Sequence, residues 1–150
     1  MVNACAAAGD MAEAERWLQR MRGASLTPDV QTFGALLNGY AQLDASSGGV
    51  GGAERCFRLM EESGLRATAV QYNQLLAAFQ RAGPSHAEAA VALFRSMVAS
   101  GAEPSKITLW TLGGIVGGPQ VSRLCQELGV DQVLAKARTE RPRFADQVER

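Results

Sequence analysis

Few residues in this sequence have both the type and the spacing that chemistry requires. The three cysteines, Cys5, Cys56 and Cys125, are far apart and form no CxxC pair, so neither a disulfide framework nor a zinc site is indicated. His86 is the only histidine, and it lacks the partner at i+4 or the nearby cysteines that a metal site uses. We therefore expect no metal and no cofactor, and we expect the cysteines to pack as small apolar side chains in a reducing compartment.

The other polar groups do not form a catalytic set. The glycine-rich run Gly48–Gly52 lacks the Lys-Ser/Thr of a phosphate-binding loop, and a flexible linker is predicted over Asp44–Gly52. Glu61 and Glu62 are adjacent on a predicted helix and face different directions, as on a solvated surface. Since no acid, base and nucleophile come together, we expect neither an enzyme nor a small-molecule substrate.

Composition places the chain among globular proteins. It has 150 residues, of which 47% are hydrophobic, and its 15 basic and 15 acidic residues give a formal net charge of zero. This balance counts against strong electrostatic binding of nucleic acid, although a local basic face is compatible with it. The sequence shows no apolar run long enough for a membrane span and no signal or transit pattern, so membrane insertion is not expected. Met1 falls inside a helical pattern, as at a trimmed N-terminus.

Apolar residues recur at i, i+3, i+4 and i+7 in four stretches, which is the spacing of a helix that buries one face. These four stripes are Ala14-Trp17-Leu18-Met21, Ala53-Cys56-Phe57-Met60, Ala90-Leu93-Phe94-Met97 and Val121-Leu124-Cys125-Leu128. Related stripes precede the last three of them: Phe33-Leu36-Leu37-Tyr40, Tyr72-Leu75-Leu76-Phe79 and Leu109-Leu112-Gly113-Val116. Val2 and Cys5 fit the end of a truncated earlier copy. The pattern predicts an all-α fold of stacked helix–turn–helix repeats.

Capping signals mark the ends of these predicted helices. N-caps are predicted at Asp29, Thr68 and Ser105, and capping boxes at Asp10/Glu13 and Ser85/Glu88. Left-handed C-terminal caps are predicted at Gly64 and Gly101, with Ser25 a poorer fit at the same place. We accordingly divide a single domain, 1–150, into a partial repeat (1–29), two repeats (30–68 and 69–105), a degenerate capping repeat (106–128) and a C-terminal helix and tail (129–150).

The two central repeats resemble the pentatricopeptide repeat (PPR) family. The resemblance is carried by Tyr72-Asn73-x-Leu75-Leu76, Ala90, Phe94, Met97, Gly101 and Pro104, and by Phe33-Gly34-x-Leu36-Leu37, Ala53, Phe57, Met60 and Gly64, with Ala67 in place of the proline. The tetratricopeptide repeat is disfavoured because Leu37 and Leu76 are too large for its first-helix glycine. The resemblance implies a right-handed α-solenoid that binds single-stranded RNA, one base per repeat, in a chloroplast or mitochondrion.

The same resemblance implies which residues contact RNA. In such proteins the base is recognised by the residue after the first-helix aromatic together with the last residue of the repeat. In unit 69–105 this pair is Asn73 with Ser105, a combination associated with pyrimidines and preferentially with cytosine. Val70 is then the apolar side chain between neighbouring bases, and Arg81 is a phosphate contact.

The other units lack this full set. Unit 30–68 offers Gly34 with Thr68, which matches no familiar pair, and Gln42 where a basic residue is expected. Unit 106–128 has Trp110 at the base-recognition position, while the partial unit 1–29 keeps only Asp29 of its pair. Sequence-specific binding of RNA by this chain alone is therefore not expected.

Each of these residues also has a purely structural interpretation. Ser105 is explained as a helix N-cap, and Asn73 as a polar residue on an exposed helix surface. Trp110 is explained as an exposed aromatic or as an end-capping aromatic packed under the C-terminal helix, or else as a stacking platform or an anchor in a protein interface. Two functions remain open: binding of single-stranded RNA in organellar RNA metabolism, and a non-catalytic structural or adaptor role in which the repeat surface contacts proteins in a larger organellar complex.

Overall fold

A computed structural model of the chain describes residues 1–43 and 45–139, and the regular structure of this part is helical throughout. The α-helices are α1 (Val2–Ala7), α2 (Met11–Gly23), α3 (Val30–Gln42), α4 (Gly49–Glu62), α5 (Ala69–Ala82), α6 (Ala87–Ala99), α7 (Lys106–Val116), α8 (Gly118–Glu127) and α9 (Asp131–Thr139). Short 3-10 turns precede α4 (Ala45–Ser47) and α6 (Pro84–His86). The all-α class is confirmed, whereas the predicted tail lies outside the described residues from position 140 onward.

The helices pack as successive pairs, α1–α2, α3–α4, α5–α6 and α7–α8. The first helices contact one another in order, since α3 packs on α1 and α5, and α5 packs on α7. Each second helix contacts the first helix of its own pair and of the next pair, while α9 packs against α7 and α8. One continuous hydrophobic core runs through all of these contacts. No helix in the described part of the chain is long and apolar enough to cross a membrane.

Capping hydrogen bonds and glycines with positive φ set the helix starts and ends that the sequence predicted. The Asp29 carboxylate accepts from the Thr32 backbone N–H at 2.7 Å, and Thr68 and Ser105 cap α5 and α7. Gly64 and Gly101 adopt φ of +76° and +81° just after α4 and α6. Ser25 is forced to φ +57° at the equivalent place, which is unfavourable for a residue with a Cβ and explains why it was the poorer fit.

The predicted capping box at Ser85/Glu88 is wrong. Pro84 begins a 3-10 turn that continues to His86, so α6 starts at Ala87 and its N-cap position is His86, without a side-chain cap. The Ser85 hydroxyl lies 3.1 Å from His86 Nδ1 instead of the helix backbone. His86 in turn stacks on Phe79, with ring centroids 5.8 Å apart. The turn therefore closes over α5 and displaces the helix start by one residue.

The buried stripes largely follow the predicted positions. Phe33, Tyr72 and Phe94 are among the most deeply buried side chains, and Cys56 and Cys125 are buried free thiols while Cys5 is half-buried. The exception is α7, where Ile115 is buried in place of Gly113 and Val116, which are half-buried. The stripe of α7 therefore drifts by one position at its C-terminal end.

The predicted linker over Asp44–Gly52 is shorter than expected, because α4 already begins at Gly49. Two of its glycines, Gly49 and Gly52, are required by close packing against α3. A Cβ at Gly49 would lie 2.7 Å from the Tyr40 carbonyl oxygen, and a Cβ at Gly52 would overlap the Tyr40 ring. The Tyr40 hydroxyl is held by the Glu15 carboxylate of α2, so the ring has a fixed partner on its other side.

Gly52→Ala is therefore expected to destabilise the fold, although alanine is the better helix former. Overpacking of this kind costs about 1–3 kcal/mol. Gly51→Ala is the matched control on the same helix turn, because its Cβ would meet only Arg55 Nη1 at 3.6 Å. That variant should gain about 0.5–1 kcal/mol from helix propensity. Urea unfolding followed by circular dichroism measures both, and equal stabilities of the two variants would contradict the close contact.

Candidate nucleic-acid interface

The predicted base-recognition residues Asn73 and Ser105 are joined by a third residue, Thr108. Asn73 lies on α5 and is half-buried, and its Oδ1 accepts from the Thr108 hydroxyl at 2.7 Å. The Ser105 backbone N–H donates to the same Thr108 oxygen at 3.0 Å, as part of the capping box that begins α7. Thr108 is fully buried. Sequence reasoning missed it, because a threonine three residues after an N-cap is explained by capping alone.

Thr108 also fixes the orientation of the Asn73 amide. The Thr108 hydroxyl oxygen accepts from the Ser105 backbone N–H. The same hydroxyl lies 2.7 Å from Asn73 Oδ1 and 3.3 Å from the Ser105 hydroxyl, and it donates its hydrogen in the shorter contact, to Asn73. A hydroxyl that donates to an amide must face the carbonyl oxygen of that amide. The NH2 group of Asn73 therefore points away from Thr108, and the side chain presents a hydrogen-bond donor.

Two apolar side chains are exposed at equivalent places on α5 and α7. Val70 and Ile107 are each the second residue of their helix, and they are 57% and 59% exposed. Exposed β-branched side chains at the same place in successive helices are suited to contact flat, apolar faces. Ile107 was not singled out from the sequence, but it stands two residues after the N-cap Ser105, as Val70 does after Thr68.

Arg81 lies at the end of α5, where it is exposed and spans two helix pairs. Its Nη1 donates to the backbone carbonyl of Gln42, the last residue of α3, at 3.0 Å. Such terminal carbonyls have no partner within their own helix, so the bond caps α3. Gln42 stands where a basic residue is expected in unit 30–68, and its backbone carbonyl is thus hydrogen-bonded to Arg81 of the next unit.

Trp110 is 73% exposed in the second turn of α7. The interpretation of this residue as an aromatic packed beneath the C-terminal helix is wrong, because α9 contacts α7 without covering it. Together with Ile107, one turn earlier, Trp110 extends the exposed apolar surface along α7. Its indole can stack on a planar ligand or anchor a protein contact.

The remaining positions serve mainly as caps. Asp29 is the N-cap of α3, and the hydrogen bonds from the Thr32 side chain and backbone lower the pKa of its carboxyl below the ordinary value. Thr68 is the N-cap of α5. Gly34, at the base-recognition position of unit 30–68, is buried on the side of α3 that faces α5.

Two comparisons with known proteins agree with this geometry. A family model for the pentatricopeptide repeat domain matches residues 1–42. A chloroplastic pentatricopeptide repeat-containing protein of Arabidopsis thaliana is 29% identical over 133 residues, which is 87% of this chain and 12% of that protein. The chain thus spans only a small part of the length of this relative. These findings confirm the resemblance to pentatricopeptide repeat proteins that the repeat motifs predicted.

Proposed function

We propose that this chain is a non-catalytic RNA-binding module, a right-handed α-solenoid segment whose first helices contact single-stranded RNA in an organelle. The observation that carries the proposal is the network of Asn73, Thr108 and Ser105, in which the Thr108 hydroxyl binds the Asn73 oxygen and leaves the NH2 group facing away from Thr108. The repeats at 30–68 and 69–105, with the partial and degenerate units around them, are the binding units in this proposal. The chloroplast is supported as the compartment by the printed name of the relative.

The orientation of the amide accounts for a preference among bases. On the Watson–Crick edge, N3 of cytosine is an acceptor, whereas N3 of uracil carries a hydrogen. An NH2 group that faces this atom therefore forms a hydrogen bond with cytosine and opposes the N–H of uracil. For the base contact that the resemblance implies at Asn73, this orientation gives a physical reason for a preference for cytosine.

The surrounding side chains supply binding without sequence preference. Val70 and Ile107 present apolar surface to the two faces of a base, a contact that does not depend on which base is bound. The Arg81 guanidinium is the phosphate contact, since it keeps its charge at any physiological pH. Its bond to the Gln42 carbonyl holds it at the boundary between two units.

Fluorescence anisotropy with labelled RNA tests the proposal. An oligouridine with one cytosine should bind more tightly than oligouridine alone, by about 1–3 kcal/mol. Asn73→Asp keeps an oxygen for the Thr108 hydroxyl and removes the NH2 donor, so this ratio should fall to about one. The ratio is the useful measurement, because the added negative charge weakens binding to both RNAs equally.

The salt dependence tests the phosphate contact. Arg81→Ala should reduce the slope of log affinity against log salt by about 0.7, the value for one phosphate contact to a single strand. Arg58→Ala, at an exposed arginine of the second helix α4, is the matched control and should leave the slope unchanged. Absence of RNA binding near physiological salt, with no effect of Arg81→Ala, would remove the proposal.

An adaptor role is the second candidate, and the exposure of Trp110 favours it. A chain of zero net charge has little long-range attraction for RNA, and a tryptophan that is 73% exposed is typical of an interface anchor. A stoichiometric protein partner that is lost on Trp110→Ala, in a chain that does not bind RNA, would support this candidate.

A further inference from the structure

Charged residues are divided unequally between the first and the second helices of the pairs. The second helices carry five charged residues each in α2 and α4 and two each in α6 and α8. The first helices α1, α3, α5 and α7 carry only Arg81, near the end of α5, and Lys106, at the start of α7. Because the first helices pack on one another in order, their exposed side forms one nearly uncharged surface, the first-helix surface.

Exposed apolar side chains are concentrated on the same surface. Of the five large apolar side chains that are exposed in the described residues, Val70, Ile107 and Trp110 lie on α5 and α7. Ile107 and Trp110 are three residues apart and therefore share one face of α7. Val70 lies on α5, which packs directly against α7. An exposed tryptophan with few charges around it matches the composition of the central part of protein interfaces.

Space and a hydrogen-bond acceptor are both available beside Trp110. Gly113 and Gly114 follow it by one helical turn, so the next turn of α7 places no side chain against the indole. The Gln80 amide reaches over Gly114 from α5, where a Cβ would overlap it. An indole N–H that becomes buried on association needs an acceptor, and a side-chain amide supplies one without bringing a charge.

We propose that the first-helix surface around Trp110 binds a second copy of this chain, in a two-fold contact between the α7 helices of the two copies. A two-fold contact uses the same patch on both sides, so the patch must be complementary to itself. A neutral apolar patch meets this condition, whereas a charge at its centre would oppose the like charge of the other copy. The formal net charge of zero also removes the long-range repulsion that keeps copies of a charged protein apart.

Self-association does not depend on the function proposed above, but it uses the same surface. Val70, Ile107 and Trp110 cannot contact RNA and a second copy at the same time, so the two ligands exclude each other. The dimer is then the form without RNA, and bound RNA favours the monomer.

Sedimentation equilibrium of the intact chain over a range of concentrations measures the self-association. We expect a monomer–dimer equilibrium whose dissociation constant does not rise with salt, because the contact contains no ion pair. Trp110→Ala should raise this constant by about ten-fold or more, as expected for an aromatic anchor at the centre of an interface. Leu26→Ala is the matched control, since it removes an exposed apolar side chain from the loop between α2 and α3 and should leave the constant unchanged.

Ile107→Lys separates a contact with protein from a contact with RNA. The variant places an unpaired lysine on both sides of the two-fold contact, so it should abolish the dimer. The same added cation should strengthen the binding of oligouridine and increase its dependence on salt. A surface that binds RNA alone predicts the second effect without any dimer to lose.

Several results would overturn the dimer. A chain that stays monomeric at every concentration refutes it, whatever the affinity of that chain for RNA. A dimer that survives both Trp110→Ala and Ile107→Lys, or that Leu26→Ala dissociates, has its interface elsewhere. Masses that grow beyond the dimer with concentration would show an open, head-to-tail contact in place of a two-fold one.

Titration of the dimer with oligouridine separates this proposal from the proposed function. Dissociation of the dimer as RNA binds supports both, whereas RNA that binds to an intact dimer refutes the shared surface. If the dimer responds to the variants as expected and no RNA binds, self-association stands and the RNA-binding function fails.

Discussion

Tyr72→Ala is expected to lower the free energy of unfolding by about 3–5 kcal/mol, the range for truncation of a large buried aromatic. Tyr72 is 2% exposed and packs edge-on against Phe57 of α4, with ring centroids 5.2 Å apart. It thereby ties α5 to the preceding pair of helices. Its hydroxyl donates to the Ser100 hydroxyl at 3.2 Å, and Ser100 donates to the Met97 carbonyl at 2.8 Å, which ties α5 to the end of α6 as well.

Tyr72→Phe separates the ring from its hydroxyl. It keeps the contact with Phe57 and removes one hydrogen bond, so it should cost only about 0.5–1.5 kcal/mol. Chemical unfolding at constant pH, followed by circular dichroism, gives both values. If the alanine variant lost no more stability than the phenylalanine variant, the ring would not be part of a packed contact between units, and the close stacking of α4 and α5 would be refuted.

The consequence for function is direct, because Tyr72 precedes Asn73 on the same helix. A variant that loosens α5 displaces the donor that Thr108 orients, even though Tyr72 itself contacts no ligand. We therefore expect Tyr72→Ala to lose the preference for cytosine together with stability. Asn73→Asp should lose only the preference and keep the stability. Comparison of the two variants therefore distinguishes a residue that supports the site from a residue that contacts the base.

The parts of the structure that depend on neighbours in sequence were predictable. Asp29, Thr68 and Ser105 cap helices because their side chains reach a backbone N–H two or three residues away. Gly64 and Gly101 end helices because only glycine adopts positive φ without strain. The apolar stripes follow in the same way from the helical period, and they indicated which faces are buried.

Contacts between distant residues were not predictable by the same reasoning. The glycines at the start of α4 indicated a flexible linker by propensity, yet they form a helix because only residues without a Cβ fit against Tyr40. Thr108 and Gln71 looked like ordinary capping residues. Their second contacts, to Asn73 and to the space over Gly34, join separate helices and have no signature along the chain.

Alkaline pH is expected to destabilise the fold through the buried thiol of Cys56. Cys56 is 4% exposed, and desolvation, with a smaller contribution from the Glu15 carboxylate, raises the pKa of its thiol from 9.0 to about 12. The unfolded chain therefore ionises this thiol about three pH units before the folded chain does. The stabilisation is complete below pH 9 and is lost as the pH rises from 9 to 12, at about 1.4 kcal/mol per unit.

Between pH 9 and pH 11 the free energy of unfolding should thus fall by about 2 kcal/mol from Cys56 alone. Above pH 10 the loss should steepen, because burial and the hydrogen bond to Glu15 also raise the pKa of Tyr40 above its ordinary value of 10.0. Urea unfolding at pH 8, 9, 10 and 11 measures this dependence.

Cys56→Ala isolates the contribution of the thiol. It should cost about 1 kcal/mol at pH 8 through lost packing, and its stability should then fall much less steeply up to pH 10 than that of the unmodified chain. Cys5→Ala is the matched control, since it removes a half-buried thiol from the short first helix and leaves the contact between α3 and α4 intact. A Cys56→Ala variant with the pH dependence of the unmodified chain would show that the alkaline loss arises elsewhere. Because Cys56 Sγ lies 3.8 Å from the Phe33 carbonyl, such a result would also argue against the close approach of α4 to α3 on which the stack depends.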